Sequence, residues 1–175
     1  MKRWGLIVAL AALAVPEVAT AQNGCITAPE AEAMTLVAMP DILRETGRVC
    51  AARLPANSLI RGNGTLIAKY ETAADQAWPS ARAAIVKLSD PAIDTLLQSD
   101  YARPLLTSLL VPFIVGRIGL EDCGTIDRLV TQLAPLPPRN MASVVVTALQ
   151  YLKTEKARGR QVAVPDLPLC TNGNR

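Results

Sequence analysis

The chain contains no histidine, and that absence decides more about its chemistry than any residue it does contain. Serine–histidine and cysteine–histidine nucleophile pairs, histidine general bases and imidazole-bearing metal sites are all excluded. Among the reactive types that are left, carboxylates and cysteines are the ones whose spacing invites a reading. Glu71 with Asp75 and Asp90 with Asp94 recur at helical spacing, which sets each pair on one helix face. Two carboxyls so placed could act as acid and base on a glycoside. Phe, Trp and Tyr make up only 3% of the chain, too few for the aromatic platforms of a sugar site, so solvated helix faces are the expected role. Glu121, Asp122 and Asp127 gather around Cys123. Calcium needs six to eight oxygens from a loop of alternating acidic positions, which this stretch lacks, and carboxylates at a helix N-terminus are explained by the helix dipole.

Cys25, Cys50, Cys123 and Cys170 are the four cysteines, and none forms a C-x-x-C. A thioredoxin-like centre is therefore disfavoured, and a zinc site would need all four distant sulfurs. An even number in an exported chain points instead to two disulfides. Export is read from the first 21 residues: Lys2 and Arg3 give a positive start, Leu6 to Val15 an apolar run, and Ala19-Thr20-Ala21 a small-residue cleavage site before Gln22. The run is about half the ~20 residues of a spanning helix, and Pro16 and Glu17 close it. Lipidation at Cys25 is disfavoured because Gln22 and Asn23 stand where apolar and small residues would be needed. Alanine richness and 13 arginines against 5 lysines suggest a bacterium of high genomic G+C content. Asn63-Gly64-Thr65 is a glycosylation sequon, of consequence only in a eukaryote.

The remaining 22–175 has the size of one domain, and half the chain is apolar, enough burial to offset chain entropy. Its periodicity is helical almost throughout, with prolines and Asn/Gly pairs as punctuation. The expected elements are a helix over 29–39 ended by Pro40, a second capped by Asp41 and running to Arg53, and, after a turn and cap at Asn63-Gly64-Thr65, a long helix whose apolar face runs from Leu66 to Leu88. That third helix should kink at Pro79 or divide at Trp78. Further helices follow at Asp90–Asp100, Arg103–Gly119, 124–134 and 140–158, the last capped by Asn140 and stopped by Gly159. From about Arg160 the tail has no periodicity. The expected fold is all-α, a single compact bundle of about six or seven helices stapled by disulfides. Short antiparallel hairpins then suggest Cys25 with Cys50 and Cys123 with Cys170 as the pairs.

Leu105 to Leu120 is the most apolar stretch after the leader and is expected to be a central helix buried on all sides, or else the wall of an apolar ligand cavity. Lys153, Lys156, Arg158 and Arg160 could face an anionic partner, as could Arg44, Arg48 and Arg53, although cations in a last helical turn also complement the dipole. Pro135, Pro137, Pro138, Arg139 and Asn140 could form an extended recognition segment but more simply set the geometry between two helices. A net charge of +3 with few aromatics gives no case for nucleic acid. The expected role is a non-catalytic binding module of the cell envelope, periplasmic or secreted, with a protein partner and no cofactor or metal. A carrier of an apolar small molecule or lipid is the alternative, and a carboxylate-only enzyme a weaker one.

Overall fold

Thr27 and Glu30 set the start of the first helix. In the computed structural model, which describes residues 24–62 and 64–170 and every side chain among them except those of Leu109 and Phe113, α1 spans Ala28–Val49. Glu30 Oε2 accepts from the Thr27 backbone N–H at 2.7 Å and from its hydroxyl at 2.9 Å, satisfying a donor that the helix leaves orphaned. The expected leader over 1–21, the residues Gln22 and Asn23, the sequon asparagine Asn63 and residues 171–175 lie outside the described residues.

α1 does not end at Pro40. Ala33, Leu36, Val37, Met39, Pro40, Leu43, Thr46 and Gly47 are all buried, a seam that continues unbroken through the proline. An interior proline costs about 3 kcal/mol in local terms, and burying eight successive seam residues outweighs it. The two helices expected over 29–53 are therefore one. The same holds for α2, Thr65–Leu88, which passes Pro79 on its exposed side while Leu66, Ile67, Tyr70, Ala74, Ala77, Ala81 and Ala84 stay buried. Alanines on this seam let α2 lie close along α1, and the two form the largest helix interface of the fold.

The later helices are shorter or shifted. Asp90 Oδ1 accepts from the Ala92 N–H at 2.8 Å, but the helix this turn leads into, α3, covers only Ile93–Leu97. Next come α4 at Ala102–Val115, α5 at Cys123–Leu133 and α6 at Pro138–Ala157. Pro137, not Asn140, holds the cap position of α6, with Pro138 in its first turn. Gly159, in the left-handed region at φ 86°, stops α6 as expected. The six helices of the described residues form an all-α domain with three buried clusters. One of them joins Ala33, Leu36 and Val37 of α1 to Ala77 and Ala81 of α2 and Ala142 of α6.

The disulfides pair Cys25 with Cys170 and Cys50 with Cys123, which corrects the expected pairing of Cys25 with Cys50 and Cys123 with Cys170. The reason is Pro40. Had it broken the helix, Cys25 and Cys50 would share one end of a hairpin. A continuous helix of 22 residues is about 33 Å long, so the two cysteines stand at its opposite ends. Cys50 instead meets the first residue of α5, and both sulfurs are fully buried. Cys25 meets the tail, which returns beside the start of α1: the Ile26 N–H donates to the Pro168 carbonyl at 2.7 Å and the Cys170 N–H to the Ile26 carbonyl at 2.8 Å.

Candidate functional site

The polar side chains that could do chemistry are almost all engaged in holding the helices together. Glu71 pairs with Arg44 of α1, which also reaches Asp41 at 2.6 Å, whereas Asp75 pairs with Arg103 of α4. The two carboxyls of that helical pair thus turn to arginines on different helices. Asp94 pairs with Arg82 at 2.8 Å, and Asp90 serves its own turn. Arg82 holds the Asp94 carboxyl below the usual aspartate range, helped by Gln98 against a smaller desolvation penalty. Burial alone would raise Glu30, but donors from Thr27 and Lys87 together outweigh it and hold the carboxyl below the usual glutamate range. Burial pushes the Tyr70 phenol up. Acid–base catalysis between carboxyls needs one of them raised toward neutrality, and both of these are lowered.

Asp122 Oδ2 accepts from the Gly119 N–H at 3.2 Å and Asp127 Oδ1 from the Ser58 hydroxyl at 2.6 Å. No group of three or more cysteine or acidic residues able to hold a metal ion occurs among the described residues. Of the basic residues at the end of α6, Lys153 donates to the Leu167 carbonyl. Arg158 and Arg160 flank the buried Glu155, with Arg158 Nη1 2.9 Å from Oε1 and Arg160 Nε 2.8 Å from Oε2. The second contact is an ion pair without a directed hydrogen bond. Of these four cations Lys153 reaches the tail and Arg158 and Arg160 converge on Glu155 at the end of α6, while Lys156, Arg158 and Arg160 are all exposed. The Pro135–Asn140 stretch is likewise tied down, since Lys69 Nζ donates to the Ala134 and Leu136 carbonyls at 2.9 and 2.6 Å.

The surface that remains is α4. Among its described side chains, Ala102 is buried at the first residue and Thr107, Val111 and Val115 follow at intervals of four, and the helix packs on α1. The expectation that this stretch is buried on all sides is overturned. Leu105 is 62% exposed, Leu110 48% and Ile114 43%, and beside them Leu96 is 69% and Tyr101 82% exposed. The burial expected of a stretch this apolar needs neighbours on every side, whereas α4 lies over the outside of the α1–α2 pair at the edge of the fold. From Pro104 to Gly116 there is no charged residue.

Two cavities flank the helix. On the side of Arg44, Glu45, Trp78 and Arg103 runs an open groove of about 860 Å³ with charges of both signs. On the other, beneath Leu106 and Leu110, an apolar pocket of about 220 Å³ reaches Met34, Val37 and Ile85. That volume is below the roughly 300 Å³ at which small-molecule sites begin.

Compared with known protein families, characterised proteins and solved structures, the chain matches none of them. What it can do is therefore read from this surface alone. No signal in the sequence locates the open side of α4, because nearly every position from Leu105 to Val115 is apolar and the buried stripe includes the polar Thr107.

Proposed function

We propose that this chain is an exported, non-catalytic binding module of the cell envelope, and that its partner is a protein docked on the open face of α4. The observation that carries this reading is the exposure of Leu105, Leu110 and Ile114 on the part of α4 that has no charged residue, with Leu96 and Tyr101 exposed just before the helix. Several large apolar side chains exposed on one element of a domain exceed the scattered single exposures of an ordinary surface and favour an interaction site, and Tyr101 is of a type enriched among the residues that dominate binding energy. Two disulfides, and described helices none of which is long and apolar enough to cross a membrane, are compatible with an exported chain. The engaged state of the carboxylates and of the α6 cations supports a role by surface rather than by catalysis.

The test is a photo-activated crosslinking residue placed at Leu105 in the cells that make the protein, with Val144, an exposed position on α6, as comparison. Protein adducts concentrated at Leu105 are the expected result. Equal labelling at both positions, or none at either across several growth conditions, would count against the docking face.

A further inference from the structure

We infer that residues 161–170 are a built-in occupant of a groove for an extended protein segment, and that exchange of the Cys25–Cys170 disulfide with a dithiol opens this groove to a partner; the inference does not rest on the α4 reading. The first observation is how the tail lies. Val164 is buried and Val162, Leu167 and Leu169 are half-buried, while Gln161, Ala163, Pro165, Asp166 and Pro168 between them are exposed. Burial thus alternates along a segment that has no helix, as in a strand laid on a surface, with Pro165 and Asp166 shifting the register by one. The Ile26 N–H and carbonyl hold the tail's main chain as a parallel β-bridge at Leu169, and Lys153 donates to the Leu167 carbonyl. Leu169 packs on the cluster of Ile26, Ala31 and Val146. Polar groups of the body bind main chain and an apolar cluster receives a side chain, a combination that selects an extended segment with apolar residues at alternate positions. An acyl chain suits the groove less well, because it offers no acceptor to the N–H of the buried Ile26.

The second observation is what keeps the tail in place. Among the described residues, three hydrogen bonds and the Cys25–Cys170 bond join the tail, beyond its own turns, to the body. Arg160 is fixed to Glu155, so release begins at Gln161. Cys25 and Cys170 are partly exposed, whereas Cys50 and Cys123 are fully buried. A dithiol, such as the Cys-X-X-Cys pair of a thiol–disulfide oxidoreductase, therefore reaches the outer bond while the inner one still joins the end of α1 to α5. One thiolate of the dithiol attacks a sulfur of the outer bond and forms a mixed disulfide, which the second thiolate displaces. The dithiol leaves as a disulfide, and its two electrons and two protons end on Cys25 and Cys170 as thiols. With the bond open, the tail's few contacts make it a segment that opens locally without unfolding the helices.

The experiment has two parts, both on the oxidised protein beginning at Gln22. In the first, a small dithiol is added under native conditions, alkylation identifies the cysteines it has reduced, and hydrogen exchange is followed by mass spectrometry. Peptides holding Ile26 and Cys170 should exchange at least about tenfold faster once Cys25 and Cys170 are free, with peptides from the middle of α1, α2 and α6 unchanged. An unchanged rate, or loss of protection throughout the helices, would overturn the proposal. In the second, a fluorescein-labelled peptide of residues 161–169 is titrated by fluorescence polarisation against a variant that keeps Cys50 and Cys123 and holds its own tail out through Cys25→Ser, Leu167→Glu, Leu169→Glu and Cys170→Ser. Circular dichroism confirms that this variant is folded. The peptide should bind it at least about tenfold more tightly than it binds the oxidised wild-type chain, and a peptide of the same composition with its apolar residues in one block should bind at least about tenfold more weakly. No binding to the variant, or equal binding by the two peptides or to the two chains, would remove the groove. A dimer of the dithiol-treated protein in sedimentation, formed by exchange of tails, would make the occupant a second copy and overturn the assignment to a partner.

Discussion

Replacing the two cysteine pairs one pair at a time separates the observed pairing from every alternative. On the chain-entropy account, a bond spanning 73 residues, as between Cys50 and Cys123, stabilises by about 4 kcal/mol. The bond from Cys25 to Cys170 spans 145 residues, but it encloses the first. With Cys50 and Cys123 joined, the loop left for the outer bond to close shrinks to roughly 70 residues, so it also contributes about 4 kcal/mol. The inner pair carries a second cost. Both its sulfurs are fully buried in the cluster with Leu43, Leu54 and Tyr70, and truncating them to alanine should add about 1 kcal/mol each in lost packing. Cys50→Ala with Cys123→Ala should therefore cost about 6 kcal/mol and Cys25→Ala with Cys170→Ala about 4 kcal/mol. Urea unfolding followed by circular dichroism measures both. Under native conditions a phosphine reductant should open the partly exposed Cys25–Cys170 bond first, with alkylated peptides identifying the sulfurs. A non-reducing digest that linked Cys25 to Cys50, or reduction of the buried pair first, would refute the arrangement.

The remaining predictions concern the contacts that position the helices. A Cβ on Gly47 would stand 1.8 Å from the Ile60 carbonyl oxygen. Gly47→Ala, which gains about 1 kcal/mol of helix propensity, should therefore lower the thermal midpoint; a rise would show that the 54–62 loop does not lie against α1. Lys69→Met should cost about 2 to 3 kcal/mol, because it removes two charge-assisted hydrogen bonds that hold the α5–α6 connection to α2, and denaturant midpoints would report it. Glu30 binds its proton less readily folded than unfolded, so the stability it adds is complete above the ordinary glutamate range and is lost as pH falls through that range toward its lowered folded value. Glu30→Gln should flatten the decline of the urea midpoint in that acid window, and an unchanged slope would refute the assignment.

The helical class and the ends set by glycine were legible in the sequence because they depend on local periodicity and backbone freedom. Gly159 needed only a left-handed residue after a helix, and it supplies one. Pro40 was misread for the opposite reason. A proline is a local signal, while the seam from Ala33 to Gly47 that overrides it gains its energy from α2 and α6, whose placement no window of α1 contains. The disulfide pairing followed that misreading, since which cysteines meet depends on whether α1 is one rod or two. At the site, composition identified α4 as apolar but could not say that it lies at the edge of the bundle. The basic cluster at Lys153–Arg160 was visible as charge, yet its main acceptor, Glu155, lies within it and is buried, which only the tail's return path explains.

The distribution of charge supports reading function from α4. Cross-helix ion pairs join α1 to α2 through Arg44–Glu71 and Lys87–Glu30, and α2 to α4 through Arg103–Asp75. These pairs are partly exposed, so each contributes at most about 1 kcal/mol. Their effect is to fix which faces meet more than to add stability. Arg103 is the instructive case: it anchors the first turn of α4 through Asp75 while the helix packs on α1 with Thr107, Val111 and Val115 buried. A helix held in this way is oriented without being covered. A chain that needed only a closed core would gain about 25 cal/mol for each Å² of Leu105 and Leu110 it buried. Leaving them outward forgoes that gain, and under the docking reading proposed above a partner seated there would recover it.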